Sequence, residues 1–172
     1  MMRVYIPATL ATVGDLLACG VTADPVSAYA VTIALRAWVE QDGPAGEEEL
    51  ELVALSEAAR ACLRLLAQAP GLPARRVVLA VDVPDGHVRV EDGSDLCGPG
   101  QVTVTEAVPV DWLRALHVDE PGAETDVRSA AGAVAGADAG DAVAESVVAG
   151  AESRELLWYA PQELALVATP SA

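Results

Sequence analysis

Two histidines with nearby acids are the residues most able to do chemistry in this chain. His87 follows Asp82 and Asp85 at the end of one predicted strand, and His117 precedes Asp119 at the end of another. If these strand ends were adjacent, imidazole and carboxylate groups would converge as ligands for Zn, Mn or Fe. The alternative is that the acids are turn residues and helix caps. The metal hypothesis requires the two imidazoles to lie within about 5 Å of each other and on the same face of the sheet.

The sequence lacks the residues and motifs that most other catalytic mechanisms require. The chain has no lysine and no asparagine, which excludes a P-loop, a lysine Schiff base, a Ser-Lys dyad and a Cys-His-Asn arrangement. No HExxH, GxGxxG or GxSxG motif occurs, and the three cysteines form no CxxC pair. Cys97 follows Asp95, and carboxylates raise the pKa of a thiol, so it is a weak candidate nucleophile. We therefore predict no organic cofactor.

The charge balance narrows the class of partner. Arginine supplies all 10 basic residues against 26 acids, for a formal net charge of −16. Such a field repels phosphate groups, so we predict neither a nucleic acid nor a membrane as partner and leave a protein partner open. The densest basic group is Arg60, Arg64, Arg75 and Arg76, and we expect these arginines to pair with neighbouring acids.

Local signals predict alternating strands and helices in the first half. A strand over residues 2–6 ends near Pro7, a helix capped by Thr9 or Thr12 runs to Gly20, and Thr32 caps a helix after a strand over residues 27–31. A long helix follows the glutamates at 47–49, although the alternation at 49–52 would also fit a short strand. Its predicted apolar face comprises Leu52, Leu55, Ala59, Cys62, Leu63 and Leu66.

Strands dominate the middle of the chain. Residues 77–83 are almost continuously apolar, which predicts burial on both faces. With two alternating strands near 87–90 and 102–105, they predict an antiparallel meander over 77–106, and residues 92–100 form a loop. Further on we predict a helical turn at 110–114, short strands at 115–118 and 156–159, and a terminal helix after Pro161.

An Ala/Gly-rich segment separates the last two strands. Over residues 121–153 we predict two short helices, near 123–135 and 138–149, despite glycines that weaken a helix. Their predicted packing positions are Val127, Val134, Val143 and Val147.

These elements together predict one α+β domain over residues 1–172. We expect a mostly antiparallel or mixed sheet of about five to seven short strands, with helices packed mainly on one face. The strand-helix-strand-helix opening leaves room for one parallel pair.

The aromatic residues are few: three tryptophans, three tyrosines and no phenylalanine. In such a chain the aromatic side chains are needed to fill the core, so most are predicted to be buried. Trp112, beside Asp111 on a predicted turn, is expected to be partly exposed and is our candidate partner-binding residue.

Several segments carry a family resemblance. The chain resembles a family of short actinobacterial proteins of unknown function at residues 2–10, 28–32, 75–82, 117–120 and 155–159. The resemblance spans residues 2 to about 164 and implies a cytoplasmic bacterial protein, but it transfers no catalytic residue. It also argues against reading residues 16–20, Leu-Leu-Ala-Cys-Gly, as a lipoprotein signal, since the opening resembles a mature strand of the family.

We therefore expect a small cytoplasmic binding or regulatory module without catalytic activity. The alternative is a metal-assisted, hydrolase-like enzyme that uses the His/Asp cluster with a divalent cation.

Overall fold

A seven-stranded antiparallel sheet organises the protein. The computed structural model describes residues 1–90 and 98–168. In that part of the chain the strand order is β4-β5-β2-β1-β3-β6-β7, and every neighbouring pair is antiparallel. The strands are β1 (Met2–Ala8), β2 (Val26–Ala30), β3 (Val77–Val83), β4 (Val88–Val90), β5 (Gln101–Val104), β6 (Leu113–Asp119) and β7 (Leu156–Tyr159).

The described chain has six helices: α1 (Leu10–Cys19), α2 (Ile33–Val39), α3 (Glu47–Gln68), α4 (Glu124–Asp138), α5 (Ala142–Glu152) and α6 (Leu164–Ala168). Helices α1 and α6 pack on one face of the sheet, α2 and α3 pack on the other, and α4 and α5 pack against α3. The predicted α+β class is therefore confirmed. The helical segment begins at Glu47, so the short strand considered for residues 49–52 is wrong.

The first strand and helix follow from their own residues. Thr9 caps α1 by accepting from the Thr12 backbone N–H, and Gly20 ends the helix in the left-handed region, at φ 74°. Strand β1 runs beyond the predicted end and includes Pro7, which pairs with Val78. The proline is tolerated because the pairing of β1 with β2 ends at Tyr5, so Pro7 has a neighbouring strand on one side only.

Alternation along the strands divides the core between the two faces. One face packs Val4, Ile6 and Leu79 against α1 and α6. The other face packs Tyr5 and Val78 against α3 and α2. Strand β3 lies between β1 and β6 and is buried on both faces, as its continuous apolar run predicts.

The long helix α3 is shared between two layers. Leu50, Ala54 and Cys62 face the sheet, whereas Leu63 and Leu66 face the α4–α5 pair. The Ala/Gly-rich segment therefore does form two helices. Val127 and Val134 are buried as predicted, but Val143 is 76% exposed and Val147 is 38% exposed. Asp141 caps α5 at the backbone N–H groups of residues 143 and 144, and this start turns Val148 inward instead.

One prediction about strand pairing is wrong, and one alternative that the sequence left open is excluded. Within the described residues β4 pairs with β5 but not with β3, so residues 77–106 do not form a meander. Strands β1 and β2 are antiparallel, so the opening segment adds no parallel pair. Of the predicted loop at 92–100, residues 92–97 lie outside the described residues, and 98–100 form a turn.

The helices that the structure describes are too short or too polar to cross a membrane.

Candidate functional site

A cleft of about 550 Å³ opens on the α3 face of the sheet, beside β6 and β7. We call it the α3–β7 cleft. Its size lies within the usual range for small-molecule or side-chain pockets. The lining residues are Leu52, Leu55, Ser56, Glu57, Ala59 and Arg60 from α3, Arg76 and His117 from the sheet side, and residues 152–156 from the end of α5 to the start of β7.

Arg76, which lines this cleft, belongs to a buried ion pair. Asp119, at the end of β6, has no solvent exposure, and Arg76, which precedes β3, is 1% exposed. Oδ2 of Asp119 accepts hydrogen bonds from the Arg76 backbone N–H at 2.7 Å and from Nε at 2.9 Å, and Oδ1 accepts from Nη2 at 2.7 Å. Nη2 also donates to the Arg154 carbonyl at 3.1 Å. The pair thus ties β3, β6 and the α5–β7 connection together.

One group of Arg76 remains available to a ligand. Among the described residues Nη1 has no hydrogen-bond acceptor, while Nε and Nη2 are both occupied. Because the guanidinium group is planar, the Nη1 hydrogens cannot share the edge that holds Asp119. Arg76 borders the cleft, so this nitrogen can donate to a bound carbonyl or carboxylate oxygen.

His117 is the second polar group on the sheet side of the cleft. It lies on β6 opposite Trp158 of β7, and it is partly buried. Burial lowers the pKa of its imidazole from the usual value, so the ring is neutral at pH 7 and offers one donor and one acceptor. This suits recognition of a polar group better than binding of an anion by charge.

Carboxylates already neutralise the other two arginines of the cleft. Arg60 donates to Glu145 at 2.8 Å and to Glu152 at 3.0 Å. Arg154 forms a 2.5 Å ion pair with Asp126. Their guanidinium groups therefore act mainly as links between helices. Burial raises the pKa of Glu57 on the α3 wall, while the charges of Arg60 and Arg64 oppose that change.

Strand β7 borders the cleft and is the last strand of the sheet. Its sequence is Leu-Leu-Trp-Tyr, without charge or proline. Leu157 is 42% exposed and Trp158 is 62% exposed. Trp158 shares the α3 face with His117, because residues directly opposite each other in an antiparallel pair project to the same side. The cleft therefore continues into an exposed apolar edge.

The three acids of the metal hypothesis have separate partners. Asp82 pairs with Arg3 and Arg114, Asp85 pairs with the N-terminal amine, and Asp119 pairs with Arg76. Within residues 1–90 and 98–168, no three His, Cys, Asp or Glu side chains are placed to hold a metal ion. Arginine side chains and the N-terminal amine therefore neutralise these three acids.

The two histidines also lie in different surroundings. The His87 ring centroid is 5.9 Å from that of Trp112, which packs against the core cluster on the α1–α6 face. His117 opens on the α3–β7 cleft, on the other face. The structure therefore does not bring them together as a joint ligand set, and the geometry required for the metal hypothesis is not met.

Trp112 is partly exposed, as predicted, and its other side packs against the core on the α1–α6 face. Two other tryptophans depart from the expected core positions, since Trp38 and Trp158 are 51% and 62% exposed. Sequence reasoning missed Trp158 because nothing local shows that β7 is an edge strand. The sequence does contain a signal for the pairing of Arg76 with Asp119. Each residue lies at the end of an apolar strand, and oppositely charged residues at such ends pair when the two strands are antiparallel neighbours.

The structure also places the buried cysteine and the clustered arginines that the sequence singled out. Cys62 is fully buried, as predicted, and its thiol donates to the Val77 carbonyl at 3.0 Å. The four clustered arginines do bind neighbouring oxygen atoms, although Arg75 uses the Asp119 carbonyl instead of a carboxylate. The candidate nucleophile Cys97 lies outside the described residues.

Comparison with known proteins identifies a family without an assigned activity. Residues 2–167 match the family of unknown function DUF6912. No curated protein and no solved structure matches the chain. Because the match covers nearly the whole chain, the protein belongs to the family of unknown function DUF6912.

Proposed function

We propose that this protein is a binding module without catalytic activity, which recognises an extended segment of a protein partner at β7. The segment adds to the sheet as a further strand and places one side chain in the α3–β7 cleft. The observation that carries this proposal is the position of β7 at the edge of the described sheet, where Leu157 and Trp158 are exposed. Strand addition at such an edge supplies main-chain hydrogen bonds, and an adjoining pocket supplies specificity.

Proteins usually protect an edge strand from pairing with another chain. Common devices are a charged side chain, a proline, a bulge or a very short strand. The opposite edge of this sheet, β4, has only three residues and carries Arg89. Strand β7 has four uncharged residues in regular register with β6. The contrast supports a functional use of the β7 edge.

The cleft is suited to a mixed apolar and polar side chain. Leu52, Leu55 and Leu156 provide apolar walls, and Leu52 is 60% exposed although it lies on the apolar stripe of α3. Arg76 Nη1 and the neutral imidazole of His117 provide polar contacts on the sheet side. A bound side chain would therefore cover exposed leucine and give Arg76 Nη1 an acceptor in the same step.

Charge favours a different protein over a second copy of this chain. Two copies, each with a formal charge of −16, repel each other. Glu57 and Glu155 border the cleft and form no ion pair with another described residue, so a segment with a basic residue beside its apolar ones is complementary to this rim.

We further propose that the module works in the cytoplasm of a GC-rich actinobacterium. This is supported by the absence of lysine, asparagine and phenylalanine, which have AT-rich codons, and by the family resemblance. Cys19 and Cys62 are free thiols, which suits a reducing compartment.

The test is a comparison of edge variants against one identified partner. The partner is captured from an actinobacterial lysate, purified, and titrated with wild type, Leu157→Lys, Trp158→Lys and the control Ile33→Lys. Ile33 is 91% exposed and lies on α2, outside both β7 and the lining of the α3–β7 cleft. Both edge variants should weaken binding at least about tenfold, a loss of about 1.4 kcal/mol, with the control unchanged.

Equal affinity of all four proteins would contradict the proposal, as would repeated failure to capture any partner. Capture of the chain itself, with a dimer seen by sedimentation, would assign the edge to self-association and also overturn it.

A further inference from the structure

A second cleft, of about 530 Å³, lies on the other side of the sheet end. We call it the arginine cleft, because Arg75 and Arg128 both border it. Arg75 and Arg76 are consecutive residues leading into β3, so their side chains project to opposite faces of the sheet. Arg76 lines the α3–β7 cleft and Arg75 lines the arginine cleft, so the two clefts are separate. The other lining residues are Leu10, Gly71, Leu72, Pro73, Pro121, Glu124, Tyr159, Leu166 and Val167.

The two arginines of this cleft differ from most arginines of the chain in their partners. Seven of the others form ion pairs with carboxylates: Arg3, Arg36, Arg60, Arg64, Arg76, Arg114 and Arg154. Arg75 instead donates through Nε and Nη2 to the Asp119 carbonyl, and Arg128 donates to the carbonyls of Pro70 and Leu72. Among the described residues neither has a carboxylate within ion-pair distance.

The carbonyl contacts hold each guanidinium group without neutralising it. Each group has five N–H donors. Two donors of each serve the carbonyl oxygens, and the described residues offer no acceptor to the remainder. In a chain with 26 acids and only 10 arginines, two positioned but uncompensated guanidinium groups beside one cleft indicate an anion site.

We propose that the arginine cleft binds a monocarboxylate that carries an apolar body. The charges of Arg75, Arg128 and Glu124 sum to +1, which one carboxylate balances and a phosphate monoester exceeds. Leu10, Leu166 and the other apolar lining residues would contact the body of the ligand. The same carboxylate chemistry has two sources, a free organic acid and the C-terminus of a peptide chain.

Isothermal titration calorimetry with matched acids and amides distinguishes these sources. The probes are octanoate and octanamide for a free acid, and N-acetyl-leucyl-leucine and its amide for a chain terminus. At least one acid should bind at least about tenfold more tightly than its amide, since hydrogen bonds to a charged group are worth more than those to a neutral one. The tighter of the two acids identifies the source.

Substitutions test the named residues, with the tighter acid as the probe. Arg75→Gln and Arg128→Gln should each weaken binding at least about tenfold. Glu124→Gln removes the one acid of the cleft and should strengthen binding severalfold, a gain that misfolding cannot produce. Arg36→Gln, which lies outside the cleft, should bind as wild type does.

Three results would overturn the proposal. The first is equal binding of each acid and its amide, which includes the absence of heat from both. The second is unchanged affinity in the Arg75 and Arg128 variants. The third is tighter binding of octyl phosphate than of octanoate. None of them bears on the β7 edge, because that edge is tested with a protein partner and with different residues.

Discussion

Removing the charge of Asp119 should destabilise the protein more than any conservative surface change. In Asp119→Asn the side chain keeps its shape, but its amide presents one acceptor oxygen where the carboxylate presents two. The carboxylate of the wild type accepts from the Arg76 backbone N–H, Nε and Nη2, all at 2.7–2.9 Å. The variant leaves the Arg76 guanidinium charged, almost fully buried and without its counter-ion.

The expected loss follows from that burial. Removal of one partner from a buried ion pair costs about 3–5 kcal/mol. For a chain of this length, about 2–4 °C of Tm corresponds to 1 kcal/mol, so Tm should fall by roughly 6–20 °C. Replacing both partners, in Arg76→Met/Asp119→Leu, removes the unpaired charge but leaves the Arg76 backbone N–H without an acceptor. The double variant should therefore lie only about 1–3 kcal/mol below wild type.

Urea unfolding followed by circular dichroism measures these differences, with an unchanged m value as evidence that the unfolding transition is comparable. Glu47→Gln, which removes an exposed partner of Arg36, is the matched control and should leave stability unchanged within error. The reasoning is refuted if Asp119→Asn lies within about 1 kcal/mol of wild type, or if the double variant is less stable than the single one.

Three further predictions concern other parts of the fold. Burial raises the pKa of the Cys62 thiol to about 11, so in Cys19→Ser/Cys97→Ser a thiol reagent should label Cys62 only at the rate of unfolding; rapid labelling of the native protein would contradict this. The fold lowers the pKa of the His117 imidazole. As pH falls below about 6.5, the imidazole therefore gains a proton in the unfolded chain before it does so in the folded protein, and the free energy of unfolding decreases. His117→Gln should flatten that drop in urea unfolding from pH 7 to 5, and an unaltered pH profile would rule the effect out. Gly100→Ala should cost about 1–3 kcal/mol, since φ is +92° and a Cβ would lie 2.5 Å from Leu35 Cδ1. Gly14→Ala, with open space in α1, should stabilise by about 0.5–1 kcal/mol, and equal effects of the two changes would be inconsistent with the backbone geometry.

Local signals in the sequence predicted local structure well. Thr9 and Gly20 mark the ends of α1 because capping involves residues within one turn. The buried position of β3 follows from its own apolar run. Strand order was not predictable in the same way, because the pairing of Val26 with Val104 depends on contacts between distant parts of the chain.

The site was harder to predict than the fold for the same reason. The exposure of Trp158 follows from the place of β7 at the edge of the sheet, and no residue near it in sequence indicates that place. Leu52 was assigned to the core on periodicity, yet α3 projects it into the α3–β7 cleft. The acids near His87 and His117 are paired with arginines and the N-terminal amine, and these partners are distant in sequence.

Helices α4 and α5 are held against the rest of the fold through α3. The residues that these helices bury are only alanine and valine, so each contributes little apolar area. Their attachment to α3 combines the burial of Leu63 and Leu66 with ion pairs of Arg60 to Glu145 and Glu152 and of Arg64 to Asp138. Ion pairs at the surface are screened by salt, with a Debye length of about 8 Å at physiological ionic strength. Higher ionic strength should therefore weaken only the ion-pair part of this attachment, and that part includes the contact that holds Glu152 at the α3–β7 cleft.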